Sequence, residues 1–324
     1  MRPHGDKGTG DGHETSPSAR PRGLDAGIAR LERARDAKEQ SRREGSLRGQ
    51  RVRGWTEKLI TRVASGAIYA LVVIACLFLG RWATALLVTA MAWQCCSEFF
   101  HMTRIAGRMA NEPLGLSMAA LFALAPLTRS LFAMLVLVLL LLVAAAGWYV
   151  VTPRANIGDV STTVFGPLYT SLMFSPIVLI RMYDKGSIMG ALLAFGVIVS
   201  IWANDAMAFF VGSRIGRHKL APKISPNKSI EGLVGGMAAC MLIWVVLWAS
   251  GAFALSLPLA VASGFAVGLF GVVGDLFESR IKRGVGLKDS GDFMPGHGGM
   301  LDRSDSLLFG CTVAFFMLHL GGIL

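Results

Sequence analysis

The stretch Leu257–Leu320 reads LPLAVASGFAVGLFGVVGDLFESRIKRGVGLKDSGDFMPGHGGMLDRSDSLLFGCTVAFFMLHL. Its ends, Leu257–Val273 and Leu307–Leu320, are apolar. Its middle, Gly274–Asp305, is dense in carboxylates, cations and glycines. A membrane-spanning helix needs about 20 predominantly apolar residues. Two apolar helices joined by a charged loop set the fold class: an all-α, polytopic integral membrane protein.

The rest of the chain agrees. Of 324 residues 53% are hydrophobic and 16% charged, and the mean hydropathy is +0.54, a composition foreign to soluble domains. About nine transmembrane helices are expected, near 60–79, 82–100, 113–127, 130–150, 162–180, 187–212, 230–251, 257–278 and 305–323. The third is short and interrupted by Pro126. Residues 1–58 read as a disordered or partly helical tail, 59–185 as N-terminal transmembrane helices, and 186–324 as the region carrying the chemistry. No signal peptide is evident, and no internal repeat. The five cysteines fall in apolar runs without metal-ligand spacing and read as small buried hydrophobes. Trp55, Trp82, Trp148 and Trp202 read as interface anchors. Glu98 and His101 end the second span and could face the site, with interfacial solvation the favoured reading.

The net charge of +11 points to cytoplasmic loops and anionic lipid rather than nucleic acid, for which no module is present. With nine spans and the N-terminus inside, the loops near 101–112, 152–161, 213–229 and 279–304 share the cytoplasmic side. They hold most of the loop cations, as the positive-inside rule requires.

Within the long polar loop, Asp275, Glu278 and Ser279 share one helical face, and Asp302 begins the next helix. Packing those helices together brings Asp275 and Asp302 close, and paired carboxylates repel unless a cation lies between them. Hard oxygen ligands suit Mg²⁺. Lys282, Arg283, Lys288 and Arg303 can pair with phosphate oxygens. Gly296, Gly298 and Gly299 bracket His297, where backbone N–H groups can approach an anion. Lysines beside a membrane helix are ordinary topology signals when taken alone; the whole constellation suggests metal-assisted chemistry on a polyphosphate. A second loop, Asn204–Gly232, reads NDAMAFFVGSRIGRHKLAPKISPNKSIEG. Asn204 and Asp205 lie inside an apolar span, where such groups are costly and functional by default; the alternative is an internally hydrogen-bonded structural pair.

These two runs resemble the signature of the phosphatidate cytidylyltransferases, the CDP-diacylglycerol synthases. Ser279, Ile281, Lys282, Arg283, Lys288, Asp289, Pro295, His297, Gly298, Gly299, Asp302, Arg303 and Asp305 follow the family pattern in register. So do Asp205, Ala208, Phe209, Gly212, Ser225, Pro226, Lys228, Glu231 and Gly232. Asn227 replaces a common Lys, and Ser229 a Thr. The resemblance implies condensation of CTP with phosphatidate to CDP-diacylglycerol and pyrophosphate, in the cell inner (plasma) membrane, with the N-terminus and active site cytoplasmic. The candidate catalytic residues are then Asp275, Asp302, Lys288, Asp289 and His297, with Asp275 and Asp302 the Mg²⁺ ligands. The candidate substrate-binding residues are Asp205, Ser225, Asn227, Lys228, Glu231, Ser279, Lys282, Arg283, Gly298, Gly299 and Arg303. A homo-oligomer is left open. The alternatives are a CTP-dependent polyprenol or phytol kinase and a transporter coupled through Asp205.

Overall fold

The computed structural model describes residues 62–294 and 298–324, with isolated helical positions at Arg33, Arg35, Asp36 and Gln40. The expectations for the tail and for His297 therefore lie outside the described residues.

Each expected apolar segment is a helix. They are α1 (Arg62–Leu79), α2 (Arg81–Ile105), α3 (Glu112–Leu124), α4 (Leu131–Val151), α5 (Ile157–Pro167), α6 (Pro176–Arg181), α7 (Ile188–Ile215), α8 (Ile230–Ala249), α9 (Leu257–Gly284) and α10 (Leu301–Leu320). A π turn, Leu168–Leu172, joins α5 to α6 within one segment. In lipid the backbone must satisfy its own hydrogen bonds, which is why these runs are helical. Among the described residues six helices are long and apolar enough to cross a membrane: α1, α4, α5–α6, α7, α8 and α9. The other three expected spans fall short for physical reasons. The 13 residues of α3 rise only about 20 Å, and the segment ends in a 3₁₀ turn at Pro126. α2 carries Gln94 and Glu98, and α10 opens with LDRSDS.

Polar side chains set the helix starts. The Asn111, Ser130, Asn156, Ser187, Ser229 and Ser256 side chains each accept a backbone N–H of the first turn, satisfying groups that a helix leaves orphaned. α2, α6 and α10 start without such a cap, and at α10 the N-cap residue is Met300, which offers no side-chain oxygen.

α7, α8, α9 and α10 pack in sequence as antiparallel neighbours. At Gly274 α9 lies against α10 so closely that a Cβ there would be 2.5 Å from the Asp305 carbonyl oxygen. Between α7 and α8 the basic loop folds as an antiparallel hairpin, β1 (Lys219–Ala221) and β2 (Ser225–Ser229), with Lys219 opposite Ser229. Residues from both halves of the membrane region belong to one unit, Ile60–Leu324, and α2 packs against α10. Cys95, Cys96, Cys240 and Cys311 are buried and free, as expected. Trp202 packs on Tyr69, ring centroids 6.1 Å apart.

Contacts between loops define one common end of the bundle. Arg108 Nη1 donates to Asn156 Oδ1 at 3.4 Å, joining the α2–α3 and α4–α5 connections. Met300 N–H donates to Glu98 on α2 at 2.9 Å. Lys228 of the hairpin meets Asp275 of α9 at 2.5 Å. The four loops expected to share one side thus lie together.

Candidate active site

Two lysine–carboxylate pairs organise this end. Asp275, near the last turns of α9, receives Lys228 Nζ on Oδ2 at 2.5 Å and a longer hydrogen bond from Ser279 Oγ on Oδ1 at 3.3 Å. The helical spacing of Asp275 and Ser279 supplies the second contact; the hairpin delivers the first. One turn further on, Lys282 Nζ bridges Glu278 of its own helix and Asp302 of α10. Glu278 is wholly buried and Lys282 nearly so. Burying charges this way costs less when they are paired.

Asp302 is saturated. Oδ1 takes Lys282, while Oδ2 accepts from Ser290 N–H (2.8 Å), Ser290 Oγ (2.9 Å) and Gly299 N–H (2.8 Å). Beside it, Glu98 is 5% exposed. It accepts from Met300 N–H and Leu301 N–H, each at 2.9 Å, and from Ser290 Oγ at 2.9 Å. Glu98 therefore caps α10 from another helix, supplying the oxygens that Met300 lacks. The expectation of interfacial solvation is corrected for Glu98. The signal in the sequence was its position in an apolar span; its target was not legible. Gly299 must be glycine for this clamp, because a Cβ there would collide with Ser290 Oγ and the Glu98 carboxylate.

A 550 Å³ cavity opens beside the first pair, lined by Asp205, Asn227, Lys228, Ser229 and Asp275 together with Gly212 and Gly216. Asp205 accepts from Ser306 Oγ at 3.3 Å and Asn204 Nδ2 at 3.5 Å. Asp305 lies within electrostatic reach of Asp205, Asp275 and Glu278. Below the carboxylates Tyr169 of the π turn packs edge-on to Phe277 and Phe309. Its hydroxyl meets no hydrogen-bond partner among the described residues.

The expected site residues divide by place. Asp205, Asn227, Lys228 and Asp275 share the cavity wall. Ser279 stands behind Asp275. Lys288 and Asp289 are exposed on the α9–α10 loop. Arg283 donates to the Leu287 carbonyl at 2.8 Å, and Arg303 is exposed on the first turn of α10. Gly298, at φ +83°, closes a small bridge with Met294. Ser225 begins β2. Three residues expected to touch substrate also have protein partners. Lys282 is held between two acids. Gly299 N–H serves Asp302. Glu231 accepts the N–H groups of Arg217 (3.1 Å) and His218 (3.2 Å) and meets His218 Nδ1 at 2.6 Å, bracing the hairpin.

Six carboxylates, Glu98, Asp205, Asp275, Glu278, Asp302 and Asp305, stand here, and Lys228 and Lys282 pair with three of them, Asp275, Glu278 and Asp302. That excess of hard anionic oxygen suits a divalent cation. Among the described residues no three His, Cys, Asp or Glu side chains form a ready metal shell. Mg²⁺ commonly needs only one or two carboxylates, the rest coming from water and substrate phosphates. Asp275 fits that role, having only a long hydrogen bond on Oδ1 and a place on the cavity wall. Asp302 fits it only when Lys282 and the loop N–H groups give way.

A cavity at a helix-bundle end, walled by carboxylates and cations and bordered by glycine-rich backbone, marks a membrane-embedded enzyme working on phosphates. A model of the Cytidylyltransferase family matches residues 60–321, and the chain belongs to that family. It is 30% identical over 270 residues to a phosphatidate cytidylyltransferase of Bacillus subtilis (strain 168), covering 80% of this chain and 97% of the relative. It is 37% identical over 156 residues to a phosphatidate cytidylyltransferase of Aquifex aeolicus (strain VF5), covering 47% and 57%. An uncharacterized protein of Escherichia coli (strain K12), YnbB, is 35% identical over 193 residues, covering 56% and 63%.

Proposed function

We propose that the chain is a phosphatidate cytidylyltransferase of the bacterial inner membrane, condensing CTP with phosphatidate at the cavity beside Asp275. The observation that carries the reading is the meeting there of Asp205 and Lys228, from one signature run, with Asp275, which stands one helical turn before Ser279, the start of the other, and accepts its hydroxyl. A phosphatidate phosphate oxygen attacks the α-phosphorus of CTP in line. The bond from that phosphorus to the bridging oxygen breaks, and pyrophosphate leaves with the electron pair. The attacking oxygen is already ionised, so no general base is needed. Lys228, 23% exposed at the cavity wall, orients phosphate oxygens; Asn227 and Ser229 offer hydrogen bonds beside it. Asp275 would hold Mg²⁺, with Asp302 a second ligand once Lys282 releases it. The cation would offset charge building on the phosphates. Lys288, Arg283 and Arg303 would pair with the triphosphate from the α9–α10 side.

The site end faces the cytoplasm in this reading, because the loops gathered there carry most of the loop cations. Incubating the purified protein with CTP, phosphatidate and Mg²⁺ tests the assignment. CDP-lipid with pyrophosphate supports it; a phosphorylated lipid with CDP identifies a lipid kinase instead.

A further inference from the structure

The α2–α3 and α4–α5 connections enclose a second cavity of 400 Å³. It lies at the site end of the bundle but shares no lining residue with the catalytic cavity. Arg104, Arg108 and Arg154 line it, with Asn111, Glu112 and Trp148.

Its walls are fixed by the fold. Met109 N–H donates to Asp159 Oδ1 at 2.9 Å and Asn111 N–H to Thr163 Oγ1 at 2.8 Å, so the segment bearing Arg108 is pinned to α5. Asp159 is itself locked in the capping box of α5 with Asn156. The charges do not cancel. Glu112 pairs with Arg104 at 2.5 Å, and Asp159 lies within electrostatic reach of Arg108. Arg154 is exposed and has no ion pair among the described residues. The N-terminus of α3, begun by the Asn111 cap, adds its positive dipole end. Trp148 comes from the last turn of α4, a candidate span whose Leu139, Leu142, Val143 and Val150 face outward. The pocket therefore sits where the apolar surface of a spanning helix meets the charged surface.

We propose that this pocket binds the phosphate headgroup of an anionic phospholipid whose acyl chains lie along the outward face of α4. Guanidinium groups match phosphate oxygens in a fork geometry. Cations at a membrane surface attract anionic lipid, and Trp favours the level between headgroup and chain. The proposal rests on the chain spanning a membrane, not on its catalytic reading.

The test uses the full chain in zwitterionic detergent. Phosphatidylglycerol, or phosphatidylcholine of the same acyl chains, is titrated in and counted per protein by native mass spectrometry. One phosphatidylglycerol should be retained in preference to phosphatidylcholine. Arg154→Ala should weaken that retention about fivefold, the worth of one surface cation, and Arg154→Glu should abolish it. Exposure of Arg154 makes both variants safe for the fold, and their turnover at saturating phosphatidate should match the parent. Equal retention of the two lipids overturns the proposal, as does unchanged retention in Arg154→Glu. Loss of turnover in Arg154→Glu overturns the separation from the catalytic cavity. Competition by millimolar inorganic phosphate as effective as that by phosphatidylglycerol assigns the pocket to a free anion and overturns the lipid.

Discussion

Glu98 Oε2 accepts a hydrogen bond from Ser290 Oγ at 2.9 Å, joining residues 192 positions apart. Through that contact α2, which carries neither signature run, holds the loop between α9 and α10. Glu98→Ala leaves the N–H groups of Met300 and Leu301 short of an acceptor in a buried place, while the Ser290 hydroxyl keeps Asp302 Oδ2. Buried unsatisfied groups cost about 1–3 kcal/mol each. A clear drop in melting temperature is expected, together with loss of turnover. Glu98→Gln keeps an acceptor oxygen and should fall between. Thermal melts in detergent beside initial rates decide; a Glu98→Ala protein with parental melting and rate contradicts the clamp.

The two lysine–carboxylate pairs should respond differently to removal of the lysine. Lys282→Met leaves Glu278 and Asp302 facing each other in the interior, and breaking a buried pair costs about 3–5 kcal/mol. Little folded protein should accumulate. Lys228→Ala removes a partner at a wall where Asp275 is 32% exposed, so stability should change by about 1 kcal/mol or less. Its effect belongs in KM for CTP. Comparable stability losses in both variants would show that Asp275 is as buried as Asp302 in the membrane.

Asp275→Asn and Asp302→Asn separate metal binding from loop support. Loss of a metal-ligand carboxylate removes several kcal/mol of transition-state stabilisation, at least about a hundredfold in rate. Asp275→Asn should show that loss with an unchanged melt. Asp302→Asn should lose rate and stability together, because its carboxylate also anchors Lys282, Ser290 and Gly299. Rates against Mg²⁺ concentration, with melts as control, distinguish the two. An Asp275→Asn enzyme with the parental rate and Mg²⁺ dependence would move the cation to Asp205 or Asp305.

Deleting residues 1–50 should leave turnover near the parental value in correctly inserted protein, since Glu98 is the first residue of the site in chain order. Specific activity per folded protein measures it. A large loss in well-folded, inserted material would give the tail a catalytic part.

Much of this architecture was legible in local sequence. Apolar runs located the helices to within a few residues, because in lipid hydropathy and backbone self-satisfaction dictate the same element. Glu278 and Lys282 stand four apart on one helix, so their pairing follows from periodicity. Reach across the chain was not legible. Nothing near Glu98 indicates that its carboxylate caps a helix some two hundred residues later. Lys282 and Glu231 carry charges that suit phosphate or substrate, but their tertiary partners, Asp302 for one and the Arg217–His218 backbone for the other, could not be read from local sequence. The third and last spans show the remaining limit: a helix shorter or more polar than the membrane demands can still complete a bundle when its neighbours cover it.

In this mechanism the bond breaks at the α-phosphorus of CTP, with the lipid phosphate as nucleophile. Parallel reactions of the purified protein with phosphatidate and Mg²⁺, one with CTP labelled at the α-phosphate and one at the γ-phosphate, test it most directly. Label from the α position should appear in the lipid fraction and label from the γ position in pyrophosphate, both lost together in Asp275→Asn. Lipid labelled from the γ position, with CDP as the other product, would contradict the account.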